Sequence, residues 1–447
     1  MLHIDLKDAR HARRLPENGL AEAVSLARAL PRLEVVGSEV VRLGKPTPGM
    51  LFGSGKVAEL KTRMTEAETD LVLVDGAVSP VQQRNLEKAW GVKLLDRTGL
   101  ILEIFADRAR TREGVLQVEL AALSYQRTRL VRAWTHLERQ RGGFGFVGGP
   151  GETQIETDRR AIDEQIIKIK RQLEKVVKTR ELHRAARRRV PFPLVALVGY
   201  TNAGKSTLFN RMTGAEVMAK DMLFATLDPT MRGLLLPSGQ KAILSDTVGF
   251  ISDLPHELVA AFRATLEEVL EADLILHVRD ISHPETEEQA ADVGDILETL
   301  GVDEDVALIE VWNKIDCLRP ETREALLVQD ARRGDVQAVS ALTGEGIAAL
   351  LGAIEARLGK GATDEVLELG HADGRRRAWL HNAGVVLAEA QGDDTTVFTL
   401  RWTVASRVVV YDEAARGASG VAQRAAGVPL GGHRQSSVEV WVARPGP

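Results

Sequence analysis

The stretch Val195-Ala196-Leu197-Val198-Gly199-Tyr200-Thr201-Asn202-Ala203-Gly204-Lys205-Ser206-Thr207 constrains this chain more than any other. An apolar run turns through glycines into a segment of helical character, Leu208-Phe209-Asn210-Arg211. GxxxxGK[ST] therefore stands between a strand and a helix, the context in which it forms a phosphate-binding loop. Backbone N–H groups from Thr201 to Ser206 can converge on one concavity, because Gly199 and Gly204 carry no Cβ to obstruct the path. Lys205 is then placed to reach the β- and γ-phosphates of a nucleotide, and Ser206 to ligate Mg²⁺.

The parts that follow arrive in a telling order. Phe224-Ala225-Thr226-Leu227-Asp228 offers a hydroxyl in a segment that can move, so Thr226 is a second candidate ligand for Mg²⁺, engaged only when a γ-phosphate is bound. The strand Ala242-Ile243-Leu244-Ser245 delivers Asp246-Thr247-Val248-Gly249, in which Asp246 can hold a metal-bound water and the Gly249 N–H can bond the γ-phosphate. Phe250 comes next, where many small GTPases place a water-orienting glutamine, so no catalytic residue is assigned and slow unassisted turnover is expected. A strand from Val306 to Trp312 ends in Asn313-Lys314-Ile315-Asp316. A carboxylate at Asp316 can accept from both N1–H and N2–H₂ of guanine, a pair adenine lacks, and would stay unpaired against adenine. Asn313 is expected to tie this loop to the phosphate loop, Lys314 to lie across the base, and a backbone N–H in Ser340-Ala341-Leu342 to meet guanine O6. The ligand implied is GTP or GDP.

A chain of 447 residues exceeds what one hydrophobic core serves, so several domains are expected. The net charge of −5 gives no global attraction to nucleic acid, so any RNA contact must come from local basic surface. The single cysteine, Cys317, excludes an internal disulfide framework and a cysteine-built zinc site, and fits a reducing cytosol. The charged N-terminus and the absence of any run of about 18 apolar residues speak for a cytoplasmic protein with no membrane span.

Organisation follows from periodicity. Short apolar runs at Leu71–Val74 and Lys93–Asp96 read as strands around a helix from Val81 to Trp90. Gly53-Ser54-Gly55-Lys56 resembles a truncated phosphate loop, but lacks the first glycine and the following Ser or Thr, and reads as a helix N-terminus. Leu116, Leu120, Leu123, Leu130, Trp134 and Leu137, and then Ile162, Ile166, Ile169, Leu173 and Val176, lay one apolar seam along each of two helices. These form an antiparallel hairpin with a glycine-rich tip from Gly142 to Gly151, where Arg139, Arg141, Phe144 and Phe146 are candidate RNA contacts. The second arm is basic from Lys168 to Arg189, a phosphate-contact surface or a solvated helix face. Toward the C-terminus the pattern reads strand at 364–369, helix from Gly374 to Gln391, and strands at 395–402 and 407–411. The expected fold is a multidomain α/β chain: a small α/β domain (1–110), the hairpin (111–190), a P-loop GTPase domain with a mostly parallel sheet flanked by helices (191–362), a small α+β module (363–412) and a flexible tail (413–447).

The arrangement resembles the translation-factor-like GTPases and, as a whole, the HflX family of ribosome-associated GTPases. Leu51-Phe52-Gly53-Ser54-Gly55-Lys56, Leu95-Asp96-Arg97-Thr98, Gly142-Gly143-Phe144-Gly145 and Gly151-Glu152-Thr153-Gln154-Ile155-Glu156-Thr157-Asp158-Arg159-Arg160 match that family beyond the nucleotide motifs. The resemblance implies binding of the large ribosomal subunit and its RNA by a monomer, GTPase activity raised by that binding, and splitting or rescue of stalled ribosomes or a part in their assembly. It carries over the phosphate site Gly199–Ser206, the switch segment Phe224–Asp228 and the base site Asn313–Asp316 with Ser340–Leu342. Two other readings stay open: an RNA-remodelling NTPase that uses the N-terminal domain, and a regulatory GTPase switch that recruits a protein effector. A tRNA-modifying GTPase is disfavoured, since Cys317 is the only cysteine and is not C-terminal.

Overall fold

A computed structural model describes residues 1–6, 15–140, 150–187, 192–215, 223–224, 227, 229–252, 268–303, 306–330, 333–360, 363–383 and 385–402. The chain divides into two compact bodies, residues 1–183 with 193–358 and residues 184–192 with 359–447, each taken by itself below.

The N-terminal part alternates β1 (Leu2–Leu6), α1 (Pro16–Arg28), β2 (Glu39–Leu43), α2 (Ser54–Glu66), β3 (Leu71–Asp75), α3 (Pro80–Trp90), β4 (Lys93–Asp96) and α4 (Arg97–Arg108). Its four described strands form a parallel sheet in the order β2-β1-β3-β4. The start of α3 is written in sequence: Ser79 and Gln82 exchange side-chain and backbone bonds in a capping box, and the helix stops at Gly91, whose φ of 76° suits glycine. At the phosphate-loop lookalike, Gly53 caps α2 and Lys56 is held by Glu39 at 2.5 Å and Glu59 at 2.8 Å.

Helices α5 (Arg112–Gln140) and α6 (Pro150–Arg187) pack on one another through Leu116, Leu120 and Leu123 against Ile162, Ile166, Ile169, Leu173 and Val176. Arg127 pairs with Asp163 at 2.8 Å beside this seam. The side chains of Leu130, Trp134, Leu137 and Arg139, and the tip residues 141–149 with Arg141, Phe144 and Phe146, lie outside the described residues.

The sheet that carries the nucleotide motifs comprises β5 (Leu194–Gly199), β6 (Thr230–Leu235), β7 (Lys241–Asp246), β8 (Leu274–Asp280), β9 (Ala307–Asn313) and β10 (Val336–Ala338). Helices α7 (Lys205–Thr213), α8 (Thr286–Leu300), α9 (Pro320–Asp330) and α10 (Ile347–Leu358) connect and flank it. The strand order is β10-β9-β8-β5-β7-β6, parallel except for the antiparallel edge strand β6. Strand β5 is buried on both faces. Val195 and Leu197 enter a core with Leu208, Phe209, Leu350 and Ile354. Ala196, Val198 and Tyr200 enter another, shared with Leu26, Ile101 and Phe105 of the N-terminal part. The second core also holds Phe224, Val248 and Phe250, so the segments flanking the nucleotide motifs are packed into the same apolar cluster as α1 and α4.

The C-terminal body has an antiparallel sheet of β11 (Thr363–Gly370), β13 (Thr395–Trp402) and β12 (Val386–Gln391), with α11 (Gly374–Ala383). Here the structure corrects the sequence reading. The helix begun at Gly374 ends at Ala383, and Val386–Gln391 pairs as a strand with β13. The stop was legible: Asn382-Ala383-Gly384 is a helix terminator, and the β-branched Val385-Val386 favours a strand once cross-strand pairing is available. The expected strand at 407–411 and the tail lie outside the described residues.

Candidate guanine-nucleotide site

Strand β5 sits between β7 and β8, where the strand order reverses, and its C-terminal end opens into the phosphate loop. Gly199 has φ 152°, and a Cβ there would lie 2.2 Å from the Val278 carbonyl oxygen on the neighbouring strand. Gly204 has φ 94°, and its Cβ would lie 2.2 Å from Asn313 Nδ2. Only glycine fits either place. Asn202 also adopts a left-handed backbone, with φ 60°. Of the loop N–H groups expected to converge, that of Thr201 donates to Phe250 O at 2.7 Å and that of Ala203 to Tyr200 O at 3.3 Å.

Lys205 begins α7, and its Nζ donates to Gly199 O at 3.1 Å and Tyr200 O at 2.8 Å. Burial pushes its pKa down to about 8, with Asp246 pulling the other way. An ammonium held in so dry a place is poised for an anionic partner. Ser206 Oγ donates to Asp246 Oδ2 at 2.7 Å, joining two of the three residues expected around Mg²⁺. Thr226, with Ala225 and Asp228, lies outside the described residues, while its neighbours Phe224 and Leu227 are buried. Thr247 Oγ1 donates to Leu197 O at 2.5 Å and fixes the turn after β7. Gly249 is pressed on the phosphate loop: a Cβ would lie 2.8 Å from Thr201 Cγ2 and 3.0 Å from Lys205 Nζ. The Thr201 hydroxyl is buried there, with no hydrogen-bond partner among the described residues.

The base side is braced from within the protein. Asn313 Nδ2 donates to Ala203 O at 2.8 Å and its Oδ1 accepts the Ala341 N–H at 2.9 Å, so one amide joins the phosphate loop to the Ser340–Leu342 loop. Of the Ser340–Leu342 N–H groups, one of which is expected to meet guanine O6, that of Ala341 is engaged by Asn313 and that of Ser340 donates to Glu345 O at 3.0 Å. Lys314 has φ 66° and donates Nζ to Asp280 Oδ2 at 2.8 Å. Ile315 is fully buried below it. The Ser340 hydroxyl hydrogen-bonds Asp316 and holds its carboxyl below the usual carboxylate range.

Sequence reasoning missed two supports of this loop. Asp280, which ends β8, anchors Lys314, and Arg211 on α7 donates Nε to Ala341 O at 3.1 Å and Nη2 to Leu342 O. A charged pair closing the apolar run of β8, Arg279-Asp280, was the available signal for the first. Nothing in the pattern of α7 marks Arg211.

His277 on β8 is buried, and burial, aided by Arg279, lowers its pKa to about 4. The unfolded chain takes up a proton below about 6.5 and the folded chain only near 4. Stability supplied by the neutral ring is thus present above pH 6.5 and is lost as pH falls toward 4, by up to about 3 kcal/mol. His277→Gln should flatten the fall in melting temperature between pH 7 and 5, and parallel curves for the two proteins would refute this.

Comparisons with known proteins agree with the geometry. Residues 17–106 match the family described as GTP-binding GTPase N-terminal, 108–187 the GTP-binding GTPase middle region and 194–314 the 50S ribosome-binding GTPase. The chain is 54% identical over 364 residues to the GTPase HflX of Magnetococcus marinus, covering 81% of this chain and 83% of that one. It belongs to the HflX family of GTPases. The Escherichia coli GTPase HflX is 47% identical over 353 residues, 79% of this chain and 82% of its own length. The Chlamydia pneumoniae GTPase HflX is 40% identical over 385 residues, covering 85% and 81%. Among solved structures, a GTP-binding protein of Sulfolobus solfataricus in complex with GDP aligns over 80% of this chain and 98% of its own at 22% identity, with a TM-score of 0.41. As an HflX-family member the chain is a GTP hydrolase. Among its described residues no helix is long and apolar enough to cross a membrane.

Proposed function

We propose that this protein is a cytoplasmic, monomeric GTPase that binds the large ribosomal subunit and uses GTP-driven switching to split or rescue stalled ribosomes, or to modulate their assembly. The observation that carries the reading is the match of residues 194–314 to a family of 50S ribosome-binding GTPases, on a chain whose Asn313 joins phosphate loop to base loop. The glycine-rich tip with Arg139, Arg141, Phe144 and Phe146 is the proposed RNA probe. Its phenylalanines suit stacking on unpaired bases and its arginines suit phosphates. Lys56 is held by two glutamates, which favours a structural role for α2 over a second nucleotide site.

The test is co-sedimentation with large subunits in the presence of a non-hydrolysable GTP analogue, read together with hydrolysis. Added subunits should raise turnover by at least about a hundredfold, as when a partner completes a GTPase site. Replacing Arg139, Arg141, Phe144 and Phe146 together with alanine should leave GTP affinity unchanged while weakening subunit binding and stimulation. Equal rates with and without subunits would refute the proposal. Normal binding by the fourfold variant would shift the RNA contact to the basic arm from Lys168 to Arg189.

The donor set fits Mg²⁺. Ser206 Oγ and Asp246 Oδ2 form a hard-oxygen pair beside the phosphate loop, while the described residues contain no cluster of three metal-ligating His, Cys, Asp or Glu. We assign Ser206 as a direct ligand, Asp246 as holder of a metal-bound water and Thr226 as a ligand in the triphosphate state. Bound there, Mg²⁺ would neutralise charge on the phosphates. Ser206→Ala and Thr226→Ala should both slow hydrolysis at least about tenfold, and only Ser206→Ala should much weaken GDP binding. Equal losses of GDP affinity would contradict the assignment.

A further inference from the structure

A partly buried polar network runs from the N-terminal sheet to the phosphate loop, and guanine-nucleotide chemistry leaves it unused. Tyr200 is the residue after Gly199, and its hydroxyl donates to Glu22 Oε2 on α1. The same hydroxyl accepts the Ser252 N–H at 2.8 Å. Ser252 Oγ donates to Glu22 Oε1 at 3.1 Å. Arg97, at the start of α4, donates Nη2 to Glu22 Oε1 at 2.5 Å and to Ser252 O at 3.0 Å. Its Nη1 meets Asp75 Oδ1 at 2.6 Å, and Asp75 Oδ2 meets His3 Nδ1 at 2.6 Å. Arg97 and Asp75 are buried, and the Glu22 side chain keeps 16% of its surface exposed. Charges this dry are tolerated only while paired.

Ser252 lies three residues after Gly249, on a short tether. Phe250 N–H donates to Gly199 O at 3.1 Å and Phe250 O accepts from Thr201 N–H, which lays the tether along the phosphate loop. The other switch segment also meets the N-terminal part. Phe224 packs edge-on to Phe105 of α4, with ring centroids 4.7 Å apart, and has φ 56°, a conformation a bulky residue holds only when its surroundings compel it. Gly249 and Ser252 are thus only three residues apart, and Ser252 in turn bonds Glu22 and Arg97.

We propose that Glu22 and Arg97 are positioning residues that couple the segment after Gly249 to the N-terminal domain, so that exchange of GDP for GTP is felt in α1 and α4. The proposal rests on the GTPase activity of the family. Coupling of this kind is reciprocal, because docking of the N-terminal domain and placement of the switch share one set of partly buried bonds. Glu22→Gln removes the charge that Arg97 and Ser252 share, and Ser252→Ala removes one hydroxyl and leaves every charge paired.

The test is amide hydrogen exchange on the full chain, saturated with GDP or with a non-hydrolysable GTP analogue. In the wild type, rates within Pro16–Arg28 and Arg97–Arg108 should differ at least about fivefold between the two nucleotides. Both variants should reduce that difference below about twofold, with GDP affinity within about threefold of wild type. A merely structural role would alter melting without removing the nucleotide response. Loss of GDP binding by the wild type would count against the GTPase reading itself. Wild-type amides in α1 and α4 that ignore the nucleotide would overturn the coupling, as would variants that respond like wild type. Should Glu22→Gln not fold, the wild-type exchange rates decide, since amides in α1 and α4 that ignore the nucleotide overturn the coupling without any variant.

Discussion

Asp316→Asn should weaken GTP and GDP binding by about a thousandfold and admit xanthosine nucleotides in their place. The wild-type carboxylate is ionised, held low by the Ser340 hydroxyl, and offers only acceptors to the donor edge of guanine. An amide sets a donor against a donor at one of the two positions, and leaves a desolvated pair of N–H groups without partners. Xanthine carries an oxygen where guanine carries N2–H₂, so the same amide suits it. Asn313 is untouched, and its bonds to Ala203 O and the Ala341 N–H keep the two loops joined. The phosphate site should therefore survive, and the variant should be selective in a new way and still active. Titration with GDP and XDP reads the result. GDP affinity within fivefold of wild type would mean that another group reads the base.

The strand-end geometry of the nucleotide motifs was legible because the runs that make it are local in sequence. Gly199 to Ser206, Asp246 to Gly249 and Asn313 to Asp316 are short runs at strand ends, and the backbone geometry they need singles out glycine and asparagine at fixed steps. The hairpin seam was legible for the same reason, since one period fixes one face. What sequence did not reveal is what depends on distance along the chain. Glu22, Arg97 and Ser252 stand on three separate segments, and each taken alone reads as an ordinary surface residue. Strand β1 went unread because Leu2-His3-Ile4-Asp5-Leu6 is short and charged, although it alternates at the period of a strand. Its polar His3 belongs to the buried network. The Leu95-Asp96-Arg97-Thr98 match marked Arg97 without giving it a role, because the role lies in a partner 75 residues away.

Phe250→Gln should cost the fold about 2–4 kcal/mol and leave the unassisted rate of hydrolysis no faster. The intuitive expectation runs the other way, since glutamine at this position orients water in many small GTPases. Here the backbone of Phe250 is tied on both sides, its N–H to Gly199 O and its carbonyl to Thr201 N–H. Its side chain is 2% exposed and belongs to the apolar cluster that includes Phe105, Val198 and Ile251. A glutamine in that rotamer space would bury an amide among hydrocarbon, and swinging out toward the nucleotide would empty a space the size of a phenyl ring. Either path loses stability before it gains a water-orienting group. Melting temperature and single-turnover hydrolysis, measured on the same sample, separate the outcomes. A glutamine variant that melts like wild type and hydrolyses GTP faster would place the side chain at the phosphate site. A variant that melts several degrees lower and turns over no faster would mean that the polar group needed for fast turnover comes from outside this position, which is where a ribosomal partner would act.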